Sequence, residues 1–392
     1  NYMTNGVYTV CLTQTNTCGS KQTCKTITIT TNYTNSYHWM YKRPGFSTTI
    51  SQSGVSLLQL SDGSYFLAGS ENGSGLLHSL DSAGNFKKSV YISTPASGYI
   101  ECTTQTQDGG ALVNGTTSSP YLHAFGRVDS SGTMSYIRTF SVTSIDRLGN
   151  CLELKDGRSV FCGGASAQGY LLTAGKNMSV QQYRGFFGVR AITAIRKAPS
   201  GCYYAYGNNF SNLDPLLIKM DSSFNILWAK EYDLGTTQYL TSDMRISPSE
   251  KVYMTGSYST AVPTSCAAFV LAVDSAGNSI FAGNYKRTVG ADYGRSIFLD
   301  KKGHVLVNSY FSFTYGGSLI KMDTLGNASS IQTFSMTTSR LLPTYDDGIS
   351  VAASTNGGSA SAAYTVAAFK LDTSGVIPCK ALTTLTVTPV IP

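Results

Sequence analysis

Charge is scarce in this chain of 392 residues, since Asp, Glu, Lys and Arg make up 13% of it, about half the usual share. The net charge of +7 is modest and the basic residues are scattered, whereas a nucleic-acid interface clusters them with aromatic residues. No apolar run approaches the roughly 18 residues of a membrane-spanning helix. We therefore expect neither a nucleic-acid partner nor membrane insertion.

Histidine is also rare. His38, His78, His123 and His304 are far apart, share no ligand spacing, and are accompanied by no Cys-x-x-Cys pair. The sequence therefore predicts no metal site and no cofactor.

Glycine, serine, threonine and tyrosine are plentiful, with 39 Gly and 25 Tyr, as in extracellular all-β proteins. Nine cysteines, three of them within residues 11–24, favour an oxidising compartment. Their odd number leaves at least one thiol unpaired or paired outside this chain. The chain begins at Asn1 without a signal peptide. We expect a piece of a longer polypeptide that is secreted or displayed at the cell surface.

A strand–turn–strand unit recurs along the chain, and its clearest copy is residues 212–235. An apolar run precedes a turn that opens with Asp, and an alternating run follows it. The turn Asp recurs about every 48 residues. It stands at Asp81, Asp129, Asp221, Asp274, Asp323 and Asp372, with Lys176 in its place in the third copy. Because an Asp in such a turn accepts hydrogen bonds from backbone amides, we interpret these repeated carboxylates as structural rather than catalytic.

A second turn lies upstream of each of these. In four copies it is Asp-Gly, as at Asp62-Gly63 and Asp156-Gly157, and in the other three it is Ser200-Gly201, Ser249-Glu250 and Lys302-Gly303. Asp-Gly between alternating runs predicts a two-residue type I′ hairpin. Each unit then holds four strands, and seven such units predict an all-β, seven-bladed β-propeller. A β-sandwich array is the alternative. The blades are predicted at 55–92, 99–140, 150–186, 191–232, 239–285, 295–334 and 340–376.

The two ends of the chain predict further elements. Residues 1–31 alternate on both sides of a turn and form a hairpin, which places Cys11 and Cys24 on opposite arms as a disulfide candidate. Residues 36–380 form the propeller, and residues 381–392 start a following β module or linker. Blade seven lacks its fourth strand, so we predict that residues 36–42 supply it beside 365–371 and close the ring, with Trp39 in the place of Trp228.

Two stretches resemble known families. The hairpin, with Gly6, Tyr8, Val10 and Leu12 before a Cys-Gly turn and Lys25-Thr26-Ile27 after it, resembles the last two strands of PKD domains, which are immunoglobulin-like modules of secreted Bacteroidota proteins. Residues 62–69 (DGSYFLAG) and 218–228 (IKMDSSFNILW) resemble propeller repeats of such proteins. The resemblance implies export by the type IX system, display at the cell surface, and O-glycans at Asp-Ser/Thr-apolar triplets. The candidate acceptors are Ser82, Ser275 and Thr324.

Cys151 and Cys162 flank the Asp156-Gly157 turn. With a two-residue turn they would face each other as a hydrogen-bonded pair, whose wide spacing suits a disulfide poorly, so we expect two reduced thiols.

A binding face is expected where the connections between blades meet the innermost strands. The polar and aromatic residues there suit a sugar, but they contain no recognisable catalytic set. We expect a structural or adhesive module that contacts glycans, surface proteins or other modules of the same polypeptide. A carbohydrate-binding or polysaccharide-cleaving propeller is the alternative. The candidate ligand-binding residues are Tyr99, Glu101, Asp146, Arg147, Arg190, Tyr239, Asp243, Asp292, Tyr293, Arg295 and Arg340.

Overall fold

The chain is described by a computed structural model over residues 6–16, 19–29, 39–42, 52–71, 74–92, 98–117, 122–142, 145–166, 168–235, 238–259, 266–287, 292–311, 316–334, 337–344, 348–355, 365–371 and 385–389. It forms two units. The first contains an antiparallel hairpin of β1 (Gly6–Asn16) and β2 (Gly19–Ile29), in which Cys11 lies directly opposite Cys24. The side chains of these two cysteines lie outside the described residues, so their disulfide stays a prediction.

The second unit is the predicted seven-bladed β-propeller, and its blades follow one another in sequence order. Blade one is β4 (Gln52–Gln59), β5 (Tyr65–Glu71), β6 (Ser74–Leu80) and β7 (Phe86–Ile92). Blade two is β8 (Gly98–Gln105), β9 (Ala111–Thr117), β10 (His123–Val128) and β11 (Met134–Phe140). Blade three is β12 (Ile145–Glu153), β13 (Ser159–Ala165), β14 (Gln168–Ala174) and β15 (Val180–Phe186). Blade four is β16 (Val189–Lys197), β17 (Tyr203–Asn209), β18 (Pro215–Met220) and β19 (Ile226–Glu231).

Blade five is β20 (Gln238–Ile246), β21 (Val252–Ser259), β22 (Ala267–Val273) and β23 (Ser279–Arg287). Blade six is β24 (Asp292–Leu299), β25 (Val305–Phe311), β26 (Gly316–Met322) and β27 (Ala328–Phe334). Blade seven is β28 (Thr337–Pro343), β29 (Ile349–Thr355), β30 (Thr365–Leu371) and, from the other end of the chain, β3 (Trp39–Lys42). Among the residues described, no helix is long and apolar enough to cross a membrane.

The predicted ring closure is confirmed. Strand β3 pairs antiparallel with β30, from Trp39 opposite Lys370 to Lys42 opposite Ala367. The Ser350 hydroxyl donates to the carbonyl of Leu57 at 2.7 Å, which ties blade seven to blade one. The side chain of Trp39 lies outside the described residues, and its burial stays a prediction.

The end of the chain contributes one more strand. Strand β31 (Leu385–Pro389) pairs antiparallel with β23 and becomes the fifth strand of blade five. That this segment begins a following module stays a prediction.

The first turns of blades one to six differ from the predicted type I′ hairpin. In blade one the Leu60 amide donates to the Ser64 carbonyl at 2.8 Å and the Gly63 amide to the Leu60 carbonyl at 2.9 Å, which leaves three residues in the loop. Of these, Gly63 alone has positive φ, at 84°. Asp62 instead accepts a hydrogen bond from the Ser64 amide at 2.9 Å. The prediction of two-residue turns was wrong because Asp forms a side-chain turn here and leaves only Gly in the left-handed region.

The extra loop residue also shifts the predicted register of Cys151. This residue pairs with Phe161 rather than with Cys162, and the register shifts again between Leu148 and Cys151. The Cys162 thiol donates to the Asn150 carbonyl at 3.1 Å. Both cysteines are buried free thiols, but they do not face each other as predicted.

Neighbouring blades bury their apolar side chains against one another. Between blades four and five, Tyr204, Tyr206, Tyr239 and Phe269 are each at most 1% exposed and belong to one core cluster. In blade two, for example, the central strand β10 is buried throughout, whereas the outermost strand β11 is half-buried or exposed along its length. This packing fixes the innermost strands, which surround the axis.

Candidate functional site

The first strand of each blade contacts the first strands of the two neighbouring blades, so that the seven form a closed cycle around the axis. These strands are β4, β8, β12, β16, β20, β24 and β28. Two cavities lie among them. One has a volume of about 320 Å³ and is named here the axial pocket. The other, of about 530 Å³, is lined by residues further along the same strands and is mostly apolar. Arg340 lines both. The residues of the axial pocket are Glu101, Arg147, Leu148, Thr193, Thr241, Ser242, Arg295, Thr338, Ser339 and Arg340.

β-Bulges deliver side chains to the axial pocket. The register of the innermost strand shifts between Ile100 and Cys102 in blade two and between Gly294 and Ser296 in blade six. The residues skipped by these shifts are Glu101 and Arg295, and bulges of this kind redirect side chains. Blades four, five and seven shift in the same way and contribute Thr193, Ser242 and Ser339.

Four of the predicted candidates therefore meet in the axial pocket, namely Glu101, Arg147, Arg295 and Arg340. The pocket hydroxyls of Thr193, Thr241, Ser242, Thr338 and Ser339 were missed, because Ser and Thr are common throughout the chain. The repeat of the blades could have identified three of them, Thr193, Ser242 and Ser339. Glu101, Thr193, Ser242, Arg295 and Ser339 occupy the same place in their blades, so counting from Glu101 by the repeat period leads to the others.

Asp243 lies beside the pocket rather than in it. Its side chain is fully buried, and Oδ1 is 2.8 Å from Arg196 Nη2 and 2.9 Å from Arg245 Nη1. It also accepts a hydrogen bond from the Met244 amide at 2.9 Å. Burial alone would raise its pKa, but the attraction of Arg245 and Arg196 outweighs this and holds the pKa below the usual value. This carboxylate is neutralised within the protein.

The remaining candidates do not form one site. Tyr239 is buried in the core and donates its hydroxyl hydrogen to the Leu234 carbonyl at 2.8 Å. Asp292 is buried at the start of β24, and Tyr293 stacks on Tyr310 with ring centroids 5.9 Å apart. Arg190 is half-buried on β16. The side chains of Tyr99 and Asp146 lie outside the described residues.

Among the side chains that the structure describes, the arginines of the axial pocket form no ion pair with a carboxylate. Arg147 Nη1 donates to the Thr241 carbonyl at 2.7 Å, and Arg295 lies over the Tyr310 ring, 5.5 Å from its centroid. Burial lowers the pKa of both arginines, and the charge of Arg295 lowers that of Arg147 further. The surrounding protein also raises the pKa of Glu101, although Arg147 opposes this. Arg147 and Arg295 are thus close enough for their positive charges to repel each other.

A pair of thiols lies below the axial pocket. Cys102 and Cys151 come from adjacent blades, line the larger cavity and are within hydrogen-bonding reach of each other. The Cys151 thiol, with help from the positive charge of Arg340, lowers the pKa of Cys102 to about 5. The pKa of Cys151 is raised, because burial and the neighbouring thiolate disfavour a second negative charge. Of the two thiols, Cys102 therefore ionises more readily than Cys151.

The repeated turn aspartates have the structural role that the sequence predicts. Asp221 Oδ1 accepts hydrogen bonds from the Ser223 and Asn225 amides, each at 2.8 Å. The same pair of amides is bonded at Asp81, Asp274 and Asp323. Asp372 lies outside the described residues. In these turns Ser82 and Ser275 are exposed and Thr324 is half-buried, and their glycosylation stays a prediction.

No group of three or more His, Cys, Asp or Glu side chains suited to a metal ion occurs within the described ranges. His123, for example, is buried between Asn114 and Tyr170, and burial lowers its pKa to about 3. It is a neutral core residue.

No protein-family model matches the chain, and no curated protein matches it. Solved structures do. Virginiamycin B lyase from Staphylococcus aureus is 9% identical over 85% of this chain and 98% of that one, with a TM-score of 0.58. YCF48 bound to D1 peptide is 10% identical over 87% of this chain and 96% of that one, with a TM-score of 0.53. At such identities the likeness shows a shared β-propeller fold and no shared function.

Proposed function

We propose that this chain is a non-catalytic, adhesive module of a larger polypeptide at the cell surface or in the extracellular space. The PKD-like hairpin and the Bacteroidota-like repeats support this setting and export by the type IX system. In this proposal the propeller contacts glycans or surface proteins through the axial pocket, and its rigid ring spaces the neighbouring modules.

One observation carries the proposal against a glycan-cleaving enzyme. Hydrolysis of a glycosidic bond ordinarily needs two carboxyl groups, one on each side of the bond. Of the side chains described in the axial pocket, Glu101 alone is a carboxyl group, and the nearby Asp243 is neutralised by Arg196 and Arg245. The pocket offers cations and hydroxyl groups instead, which suit binding.

Binding and turnover are separable in one experiment. The protein would be passed over immobilised oligosaccharides, neutral ones built from glucose or galactose and acidic ones containing glucuronate, and the solution assayed for released sugar. We expect binding that Arg295→Gln weakens, with no release. Sustained release of sugar, abolished by Glu101→Gln, would refute the non-catalytic proposal. Failure to bind any member of the panel would refute a glycan-adhesive role.

A further inference from the structure

The axial pocket has an excess of positive charge that the protein does not neutralise. Its charged lining residues are Arg147, Arg295 and Arg340 and one carboxyl group, that of Glu101. Three cations against one anion leave a net charge of +2. The nearby Asp243 forms ion pairs with Arg196 and Arg245, so its negative charge does not neutralise the arginines of the pocket.

The three arginines of the axial pocket retain N–H groups that donate no hydrogen bond to the residues that the structure describes. In the part of the chain that the structure describes, no ion pair joins a carboxylate to Arg147, Arg295 or Arg340. A guanidinium has five N–H donors; Arg147 uses Nη1 on the Thr241 carbonyl, Arg295 makes a ring contact, and Arg340 bonds the Cys102 sulfur. Two parallel N–H groups of such an arginine fit the two oxygens of a carboxylate. The site is thus suited to an oxyanion.

One hydroxyl group of the pocket can accept a hydrogen bond from a ligand. Ser242 is half-buried, and its Oγ donates its hydrogen to the Gly294 carbonyl at 2.9 Å, so this oxygen can only accept from a ligand. Thr241 and Thr338 are at most 1% exposed, and their hydroxyls donate to Asn208 Oδ1 and Asn308 Oδ1 within the protein. The fitting ligand therefore carries a carboxylate for the arginines and a hydroxyl donor for the Ser242 oxygen.

We infer that the axial pocket binds the carboxylated sugar residue of an acidic glycan, a uronic acid unit. This inference rests on the proposed function, because it takes the pocket as the recognition site. A volume of about 320 Å³ lies at the lower end for ligand pockets and suits one sugar residue rather than a long oligosaccharide. An acidic peptide side chain supplies the carboxylate but not the hydroxyl donor for the Ser242 oxygen.

Calorimetric titration with sodium glucuronate tests the inference, with glucose, sodium sulfate and an Asp-Glu dipeptide as comparison ligands. Glucuronate should bind, and glucose should bind at least tenfold more weakly. Arg295→Gln should weaken glucuronate binding about tenfold or more, the size of one charge-assisted hydrogen bond. Arg295 is exposed in the pocket, so this variant is expected to fold. The matched control is Arg138→Gln, which removes an exposed arginine from the outer strand β11 and should change nothing.

A second variant should change the affinity for glucuronate in the opposite direction. Glu101→Gln removes the negative charge that competes with the ligand, so it should tighten glucuronate binding several-fold, which a merely damaged pocket would not do. Equal affinity for glucose and glucuronate, or equal loss in Arg295→Gln and Arg138→Gln, would overturn the inference. Tighter binding of sulfate or the dipeptide than of glucuronate would overturn the assignment to a sugar carboxylate. If glucuronate does not bind but immobilised oligosaccharides are still captured, the inference fails and the proposed function stands.

Discussion

Replacing Asp243 by Asn should destabilise the propeller strongly, because this carboxylate is the counter-ion of two buried guanidinium groups. Its side chain is 0% exposed, and its Oδ1 lies 2.8 Å from Arg196 and 2.9 Å from Arg245. Asn keeps the shape but removes the charge. Removing one partner of a buried ion pair costs about 3–5 kcal/mol, since the other charge is left desolvated and unpaired.

Partial hydration of the arginines reduces this estimate. The side chains of Arg196 and Arg245 are 22% and 14% exposed, so water can solvate part of the orphaned charge. We therefore expect a loss of about 3 kcal/mol in the free energy of unfolding, at the lower end of that range. The measurement is urea unfolding followed by intrinsic fluorescence at neutral pH, with circular dichroism to confirm that the variant is folded.

Asp156→Asn is the matched control. Asp156 also pairs with an arginine, Arg158, at 2.7 Å, but the two side chains are 52% and 45% exposed. An exposed pair contributes about 1 kcal/mol or less. If both variants lost the same small amount of unfolding free energy, burial would not strengthen the ion pairs of Asp243. The electrostatic account of the axis would then be wrong.

Three further predictions concern His123, Cys102 and the ring closure. The pKa of His123 is about 3 in the folded protein and 6.5 in the unfolded chain, so unfolding takes up a proton between these pH values. The free energy of unfolding should therefore fall as the pH drops from 6.5 to about 3. Urea unfolding at several pH values should show a smaller fall for His123→Gln. Cys102 has a pKa of about 5, so the ultraviolet absorbance of a thiolate should persist from pH 8 down to about pH 5. This band should vanish in Cys102→Ser and remain in Cys162→Ser, since burial raises the pKa of Cys162, and a band first appearing near pH 9 would contradict the assignment. Deleting residues 1–42 removes β3 and leaves β30 as an open edge, so the melting temperature should fall, whereas an unchanged value would show that the backbone pairing from Trp39 to Lys42 does not hold the ring shut.

The repeat itself made the fold predictable. Seven copies of one turn at a period of about 48 residues indicate the number of blades, and a single unpaired strand at residues 36–42 indicates the closure. What the sequence did not provide was register. Because the turns hold three residues instead of two and each innermost strand carries a bulge, Cys151 pairs with Phe161. The innermost strand of blade three also starts at Ile145 rather than at residue 150.

Register also explains which part of the candidate site could be predicted. Charged residues such as Glu101 and Arg295 stand out in a chain poor in charge, so they were found, but the bulge that turns them into the axial pocket is visible only in the pairing of strands. Tyr239 shows the converse error, since it occupies an innermost strand yet faces the neighbouring blade. Side-chain direction on a bulged strand does not follow simple alternation.

One structural rule accounts for both the stability and the proposed recognition. Inner-strand polar residues tie adjacent blades together, as when the Leu341 amide donates to Ser296 Oγ at 2.8 Å and the Ile195 amide donates to Asn150 Oδ1 at 2.7 Å. Asp243 occupies the place of Ser296 in its blade and accepts from the Ile297 amide at 3.4 Å. Its charge, unlike that of a serine hydroxyl, attracts Arg196 and Arg245 to the axis. Arg295, at a bulge, forms no ion pair with the carboxylates that the structure describes, so its charge remains available to a ligand.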